Sequence, residues 1–214
     1  MKRVLILDLD NTIYPVNSIA GHLFGELFKL IDEQLEPGDY DMVTKAKHEL
    51  TRRPYQHVAD EFGFSAELKA KGMEMLNNIE FTSPMFPFDE YAEVRDIAID
   101  KYLVTTGFTK LQLSKVKMLG IEADFKGIYI VDPEKSTKTK KDIFAMIMAE
   151  NSYATEEVLV IGDDPKSEIK AAIDLGIDTF LFDPGDNHTD ASVTYRGKDY
   201  KEIAGIVRGV KSER

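Results

Sequence analysis

The chain of 214 residues is long enough for one sizeable domain that carries a smaller insertion. Hydrophobic residues make up 43% and charged residues 30%, a globular balance, and the absence of Cys excludes disulfides and thiolate metal sites. The formal net charge of −11 argues against nucleic-acid partners, because duplex binders need clustered Lys and Arg to displace counterions from phosphates.

Met1-Lys2-Arg3 runs directly into a short apolar stretch, residues 4–7, that ends in acids. It is too short for a signal peptide or a membrane span, so a cytoplasmic protein with no membrane association is expected. Residues 4–7 predict a buried strand. Residues 19–79 contain no strand pattern. Ile19, Leu23, Leu27 and Leu30 or Ile31 fall at helical spacing, and Pro37-Gly38 stops that helix. Further helices are expected over 40–53, 55–62 and 66–78, punctuated by Pro54 and Gly63. After a return linker at 82–87, strands rich in β-branched and aromatic residues are expected at 102–105, 128–131, 158–161 and 179–182. They alternate with helices at 110–119, 140–150 and 165–175. An edge strand at 192–195 and a helix at 198–207 close the pattern. This alternation predicts an α/β fold, a doubly wound parallel sheet with helices on both faces. The core then comprises residues 1–16 and 82–214, and residues 17–81 form a small inserted helical domain.

In open α/β sheets ligands gather at the carboxyl ends of the strands. Those ends read Asp8-Leu9-Asp10-Asn11-Thr12, then Thr105-Thr106-Gly107, then Asp163-Asp164. Asp8 and Asp10 are two apart, so in extended backbone both side chains point the same way. Two such carboxylates repel and need a cation or a shared proton. Asp163 from another strand completes a hard oxygen site suited to Mg²⁺. Asp164 precedes Pro165 and has the position of a helix N-cap. Thr105 and Thr106, with backbone N–H groups at a helix start, make a phosphate cradle. Thr139 and Asp142 have capping-box spacing, which starts the next helix at Lys140. Lys138 then stands outside the helix, free to lean toward the site, while Lys135, Lys140 and Lys141 read as a solvated basic cluster. The four His residues show no zinc spacing.

Taken in order, these segments resemble the motifs of the haloacid dehalogenase superfamily. Asp8-Leu9-Asp10-Asn11-Thr12 is similar to its opening motif and Thr105 to its second. Lys138, six residues before Phe144, resembles its basic motif, and Val160-Ile161-Gly162-Asp163-Asp164-Pro165 its closing acidic motif. Gly107, Gln112, Lys115 and Leu119-Gly120-Ile121 resemble the helix after the second motif. The likeness spans about residues 1–185. It implies a Rossmann-like core in which Asp8 is a nucleophile that becomes an aspartyl-phosphate and Asp10 is the general acid and base. It implies Mg²⁺ bound by Asp8, the backbone carbonyl of Asp10 and Asp163, with the phosphoryl group held by Thr105, Thr106 and Lys138. The helical insertion then corresponds to the family's cap, a lid over the site. Two departures stand out: Thr139 replaces the usual Pro after the lysine, and Glu168 stands where a second Asp is common.

Within that resemblance the expected activity is Mg²⁺-dependent hydrolysis of a small phosphorylated metabolite. The run Asp8 to Pro15 resembles the opening of pyrimidine 5′-nucleotidase-like members, and a nucleoside monophosphate or a sugar phosphate is the expected substrate. Dehalogenases of the superfamily do not need an acid two residues after the nucleophile, so Asp10 favours phosphoester chemistry. A phosphomutase, a phosphoacceptor signalling module and an inactive scaffold are the remaining alternatives.

Overall fold

Apolar runs that cannot satisfy both faces alone pair side by side in a six-stranded, all-parallel sheet of order β3-β2-β1-β4-β5-β6. A computed structural model describes residues 1–19, 21, 24–34, 40–50, 53 and 55–209. Strand β1 (Val4–Leu7) is buried along its whole length, as a central parallel strand must be. The helices α1 (Gly25–Gln34), α2 (Tyr40–Leu50), α3 (Tyr55–Glu61) and α4 (Ala66–Asn78) follow it with no intervening strand among the described residues. Helix α5 (Tyr91–Arg95) leads into β2 (Asp100–Thr106), α6 (Thr109–Leu119) and β3 (Gly127–Val131). Helix α7 (Lys140–Asn151), β4 (Val158–Gly162), α8 (Glu168–Ile173), β5 (Asp178–Phe182), β6 (Tyr195–Gly197) and α9 (Ile203–Arg208) complete the chain.

Strand β1 lies between β2 and β4, with Leu7 beside Leu103 on one side and Ile161 on the other. The order therefore reverses at β1 and β4, which opens a crevice at their carboxyl ends. Period-two alternation divides the core. Leu5, Leu7, Leu103, Leu159 and Ile161 face one layer with α5, α6 and α9. Val4, Ile6, Val104, Val158 and Val160 face the other with α7 and α8. Helices α1 to α4 bury a separate apolar cluster that includes Leu27, Ile31, Leu50, Val58 and Leu68. Ser65 caps α4 by accepting from the Leu68 N–H, and the Tyr55 hydroxyl donates to the Leu68 carbonyl at 2.8 Å.

The doubly wound parallel sheet is as expected. The differences lie at element ends. The helix expected over 165–175 starts only at Glu168, because residues 164–167 form a turn in which Asp164 Oδ1 accepts from the Lys166 N–H. Asp164 thus closes that turn and does not cap the helix, whose N-cap is Ser167. The edge strand lies at Tyr195–Gly197, later than the expected 192–195. The last helix starts at Ile203 and not at 198. Leu23, Pro54 and the expected Pro37-Gly38 helix stop lie outside the described residues.

Candidate active site

The sheet's carboxyl edge collects the acids through the turn that follows β1. The Asp8 N–H still donates to the Ile161 carbonyl, so this residue extends the strand pairing to the rim. Asn11 takes the left-handed conformation (φ 55°), and its Oδ1 accepts from the Val16 N–H. An Asn tolerates that conformation through its short polar side chain. The fold-back brings the Tyr14 hydroxyl onto Asp10 Oδ1. It also buries Thr12, whose carbonyl accepts from the Tyr200 hydroxyl.

Asp8, Asp163 and Glu168 each turn a carboxylate oxygen to one point, all within 4.8 Å of one another. Gly162 makes this possible: a Cβ there would lie 2.2 Å from Glu168 Cγ. Glu168 Oε1 accepts from the Asp164 N–H at 2.8 Å. Burial pushes the Asp8 carboxyl up to about 7 against the pull of Lys140, and Glu168 and Asp10 add to the rise. Asp163 is also raised well above the carboxylate range, by burial and then by Glu168 and Asp8. Such a cluster calls for positive charge.

Among the described residues one cation reaches it, and it is not Lys138. Lys138 is exposed on the connection after β3, where its backbone N–H donates to the Ser136 hydroxyl. Lys140 is buried, and its Nζ lies 2.7 Å from both Asp8 Oδ1 and Glu168 Oε2. Burial disfavours its charge, but Asp8 and Glu168 raise its pKa above the ordinary lysine value. The physical reason is helix phase. The Thr139–Asp142 capping box does start α7 at Lys140, and the inward face of α7 reads Lys140, Ile143, Phe144, Ile147. Lys138, ahead of the cap, has no such face to ride on.

Asp10 turns away from the three-carboxylate cluster. Its Oδ1 accepts from Lys115 Nζ at 2.8 Å and from Tyr14, and its Oδ2 accepts from Gln112 Nε2 at 2.8 Å. Burial raises this carboxyl, but the Lys115 ammonium and the hydrogen bonds outweigh it and hold Asp10 below its usual value. Gln112 Nε2 also donates to Thr105 Oγ1 at 2.7 Å and to the Thr106 carbonyl at 3.1 Å. Thr105 is buried at the rim and Thr106 half-buried beside it. Gly107 follows at φ 149°, where a Cβ would come within 3.2 Å of the Gln112 side chain. Asp8, Asp10, Thr105, Thr106 and Asp163 therefore share one rim, and Lys140 takes the place expected for Lys138. Tyr14, Lys140 and Glu168 carry weight that the sequence reading did not give them.

Above the rim lies a cavity of about 940 Å³. Asp8, Asp10, Thr105, Lys140, Asp163 and Glu168 line its floor. Phe24, Leu27, Leu50 and Leu76 come down from the helical segment, with Phe108 and Leu111 beside them. Gln56 of α3 spans to the core, donating to Glu134 at 2.8 Å.

A family model for haloacid dehalogenase-like hydrolases matches residues 2–176. The chain belongs to this family. The chain is similar to ribulose-1,5-bisphosphate 5-phosphatase of Halopiger xanaduensis, 25% identical over 94% of this chain and 95% of that protein. Pyrimidine 5′-nucleotidase PynA of Streptococcus pneumoniae is 27% identical over 107 residues, and the match spans 49% of this chain and 45% of that relative. Among solved structures, the magnesium-bound HAD-hydrolase YfnB of Bacillus subtilis has a TM-score of 0.68 at 21% identity, covering 96% of this chain and 98% of that one. L-2-haloacid dehalogenase of Xanthobacter autotrophicus has a TM-score of 0.63 at 15% identity, covering 99% and 100%. At these identities the structural likeness speaks for the fold of this haloacid dehalogenase-like hydrolase. No helix among its described residues is long and apolar enough to cross a membrane.

Proposed function

We propose that this hydrolase is a Mg²⁺-dependent phosphatase that cleaves small phosphomonoesters through an aspartyl-phosphate on Asp8. The observation that carries the reading is the division of labour between two carboxylates two residues apart. Asp8 sits among acids beside Lys140, whereas Asp10 is held by Lys115, Gln112 and Tyr14 with a face on the cavity.

The donor set suits a hard dication. Asp8, Asp163 and Glu168 offer carboxylate oxygens, and one lysine cannot balance three buried or half-buried acids. The Asp10 backbone carbonyl would add a further oxygen. Bound there, Mg²⁺ supplies neutralisation of the phosphate's charge. Lys140 holds the Asp8 carboxylate in place as its oxygen attacks phosphorus. Thr105 accepts from Gln112 and so keeps its own O–H to donate to a phosphoryl oxygen. As the ester bond breaks, Asp10 gives its proton to the leaving oxygen. The carboxyl is held low in the resting chain and gains that proton when a phosphate dianion arrives beside it, since a like charge raises a carboxyl. Asp10 then takes a proton from water, whose oxygen displaces Asp8 from phosphorus.

The helical segment acts as a cap, covering the rim with apolar side chains and excluding water. A cavity of about 940 Å³ exceeds what a phosphate alone needs. The half-buried rings of Phe24 and Phe108 favour a leaving group with a flat apolar face, so a nucleoside monophosphate ranks ahead of a sugar phosphate. Dehalogenation uses no acid at the position of Asp10 and ranks behind both.

The test is release of inorganic phosphate from an aryl phosphate and from a panel of nucleotides and sugar phosphates, with Mg²⁺ or with EDTA. Activity is expected only with the metal, absent in Asp8→Asn and strongly reduced in Asp10→Asn. A wild-type rate no higher than that of Asp8→Asn across the panel removes the proposal.

A further inference from the structure

We infer that Lys115, Gln112 and Tyr14 are positioning residues that clamp Asp10 and leave its Oδ2 as the atom that exchanges the proton. The inference rests on the phosphatase reading of the same site. It starts from lone pairs. A carboxylate has about two acceptor sites on each oxygen. Oδ1 already accepts from Lys115 Nζ at 2.8 Å and from the Tyr14 hydroxyl, so it is filled. Among the described residues Oδ2 accepts only from Gln112 Nε2, at 2.8 Å, and keeps one lone pair on a side chain that lines the cavity.

The clamp is unlike incidental polar contacts in its placement. Lys115 and Gln112 are both buried, 4% and 1% exposed, on the face of α6 that also buries Leu111 and Val116. Burying an ammonium and an amide N–H₂ is unfavourable unless they are paired, and Asp10 accepts from both. The Lys115 ammonium also lies 5.8 Å from the centre of the Tyr14 ring, which ties two of the three donors to each other. Gln112 does a second job. The same Nε2 reaches Thr105 Oγ1 at 2.7 Å, so one amide sets the distance between the proton-transfer carboxyl and the hydroxyl offered to phosphate. Its Oε1 is buried with no partner among the described residues, which indicates that the amide is oriented by its donors. A carboxylate held by three groups from two elements is fixed in angle as well as in place, as proton transfer requires.

The balance of the two steps follows from this assignment. In the first, a bond forms between Asp8 and phosphorus, the ester P–O bond breaks, and the Oδ2 proton moves to the leaving oxygen. In the second, a water proton moves to Oδ2, the water oxygen bonds phosphorus, and the Asp8–phosphorus link breaks. A nitrophenolate leaves without a proton, so the first step on 4-nitrophenyl phosphate does not need the clamp, while the second does.

Rapid-mixing measurement of nitrophenolate release separates the steps. With Lys115→Met, a burst at the wild-type rate is expected, followed by turnover slowed roughly a hundredfold, the scale of general acid–base catalysis. On an alkyl phosphate this variant loses the first step as well. Lys115→Arg restores part of the turnover. If the burst and the turnover fall together and KM rises, the residues merely support the fold and the inference is overturned. If the wild type hydrolyses neither ester, the phosphatase reading falls and takes this inference with it.

Discussion

Lys140 occupies the first position of α7, and Ile143, Phe144 and Ile147 on the same face are buried with it. A side chain in phase with an apolar stripe is carried into the protein whatever its charge, and there it survives only beside counter-charges. Asp8 and Glu168 provide them at 2.7 Å. Removing one partner of a buried pair leaves the others uncompensated, which typically costs about 3–5 kcal/mol. Lys140→Met should therefore lower the urea midpoint of the metal-free protein and reduce turnover in the proposed phosphatase reaction by more than a hundredfold, on the scale of a lost electrostatic stabiliser. Lys138→Met should change neither, because exposed substitutions usually stay within about 0.5 kcal/mol. Equal losses in both variants, or a loss confined to Lys138→Met, would return the phosphate-binding role to Lys138. The choice between the two lysines was open to sequence reasoning. The capping box fixed where α7 starts, and the spacing to Ile143, Phe144 and Ile147 then put Lys140 inward. Family spacing to Phe144 pointed two residues too early, because in this chain Thr139 caps the helix in place of a proline.

Helix α6 carries the donors to Asp10, so its start must be fixed. Asp132, at the end of β3, does this: its Oδ2 accepts from the Thr109 N–H at 2.9 Å and from the Thr109 hydroxyl at 2.6 Å. No residue within α6 supplies that cap, and Phe108 at the N-cap position has no side chain able to. Burial raises the Asp132 carboxyl, but the Thr109 side chain and backbone and the Glu134 N–H outweigh it and hold it below its usual value. A depressed carboxyl contributes stability above its unfolded pKa, and that contribution is lost as the pH falls through the folded value. Asp132→Ala should thus destabilise the protein by about 1–2 kcal/mol at pH 7, the loss of a cap. In urea melts the gap to wild type should narrow once the pH drops below about 4, the ordinary aspartate range. A gap that stays constant down to pH 2.5 would mean that the charge of Asp132 plays no part. At this scale the sequence was readable wherever periodicity was strong, as in β1, β4 and α4. A cap donated across space from a strand to a helix leaves no local spacing to read. Similarly, the turn at 164–167 could not be separated from α8, because Asp164-Pro165 is a sound helix start by composition and only Glu168 reaching back to the Asp164 N–H shows where the turn ends.

The molecule as a whole holds its negative charge in an unfavourable place. Asp8 follows β1, Asp163 follows β4, and Glu168 opens α8, so folding itself forces the three carboxylates together at the sheet's reversal point. Asp163 is raised by burial and by Glu168 and Asp8. An acid raised on folding binds its proton more tightly in the native state, so stability falls as the pH climbs from the unfolded value toward the folded one. Without metal, the protein should carry that penalty in full once the pH exceeds the folded value. Asp163→Asn removes one charge and keeps an oxygen for the Thr12 hydroxyl, which lies 3.5 Å from Asp163 Oδ1. The variant should melt higher than wild type in EDTA by roughly 2–4 °C, which corresponds to about 1 kcal/mol in a chain of this size. Adding Mg²⁺ should reverse the order, because a ligand that binds only the folded state stabilises it in proportion to the logarithm of its excess over Kd. Wild type should gain with each increment of metal while Asp163→Asn gains little, the trade of stability for activity expected where a site concentrates charge. Should Asp163→Asn melt below wild type in EDTA and still respond fully to Mg²⁺, the cation is held elsewhere, and the three carboxylates do not form its site.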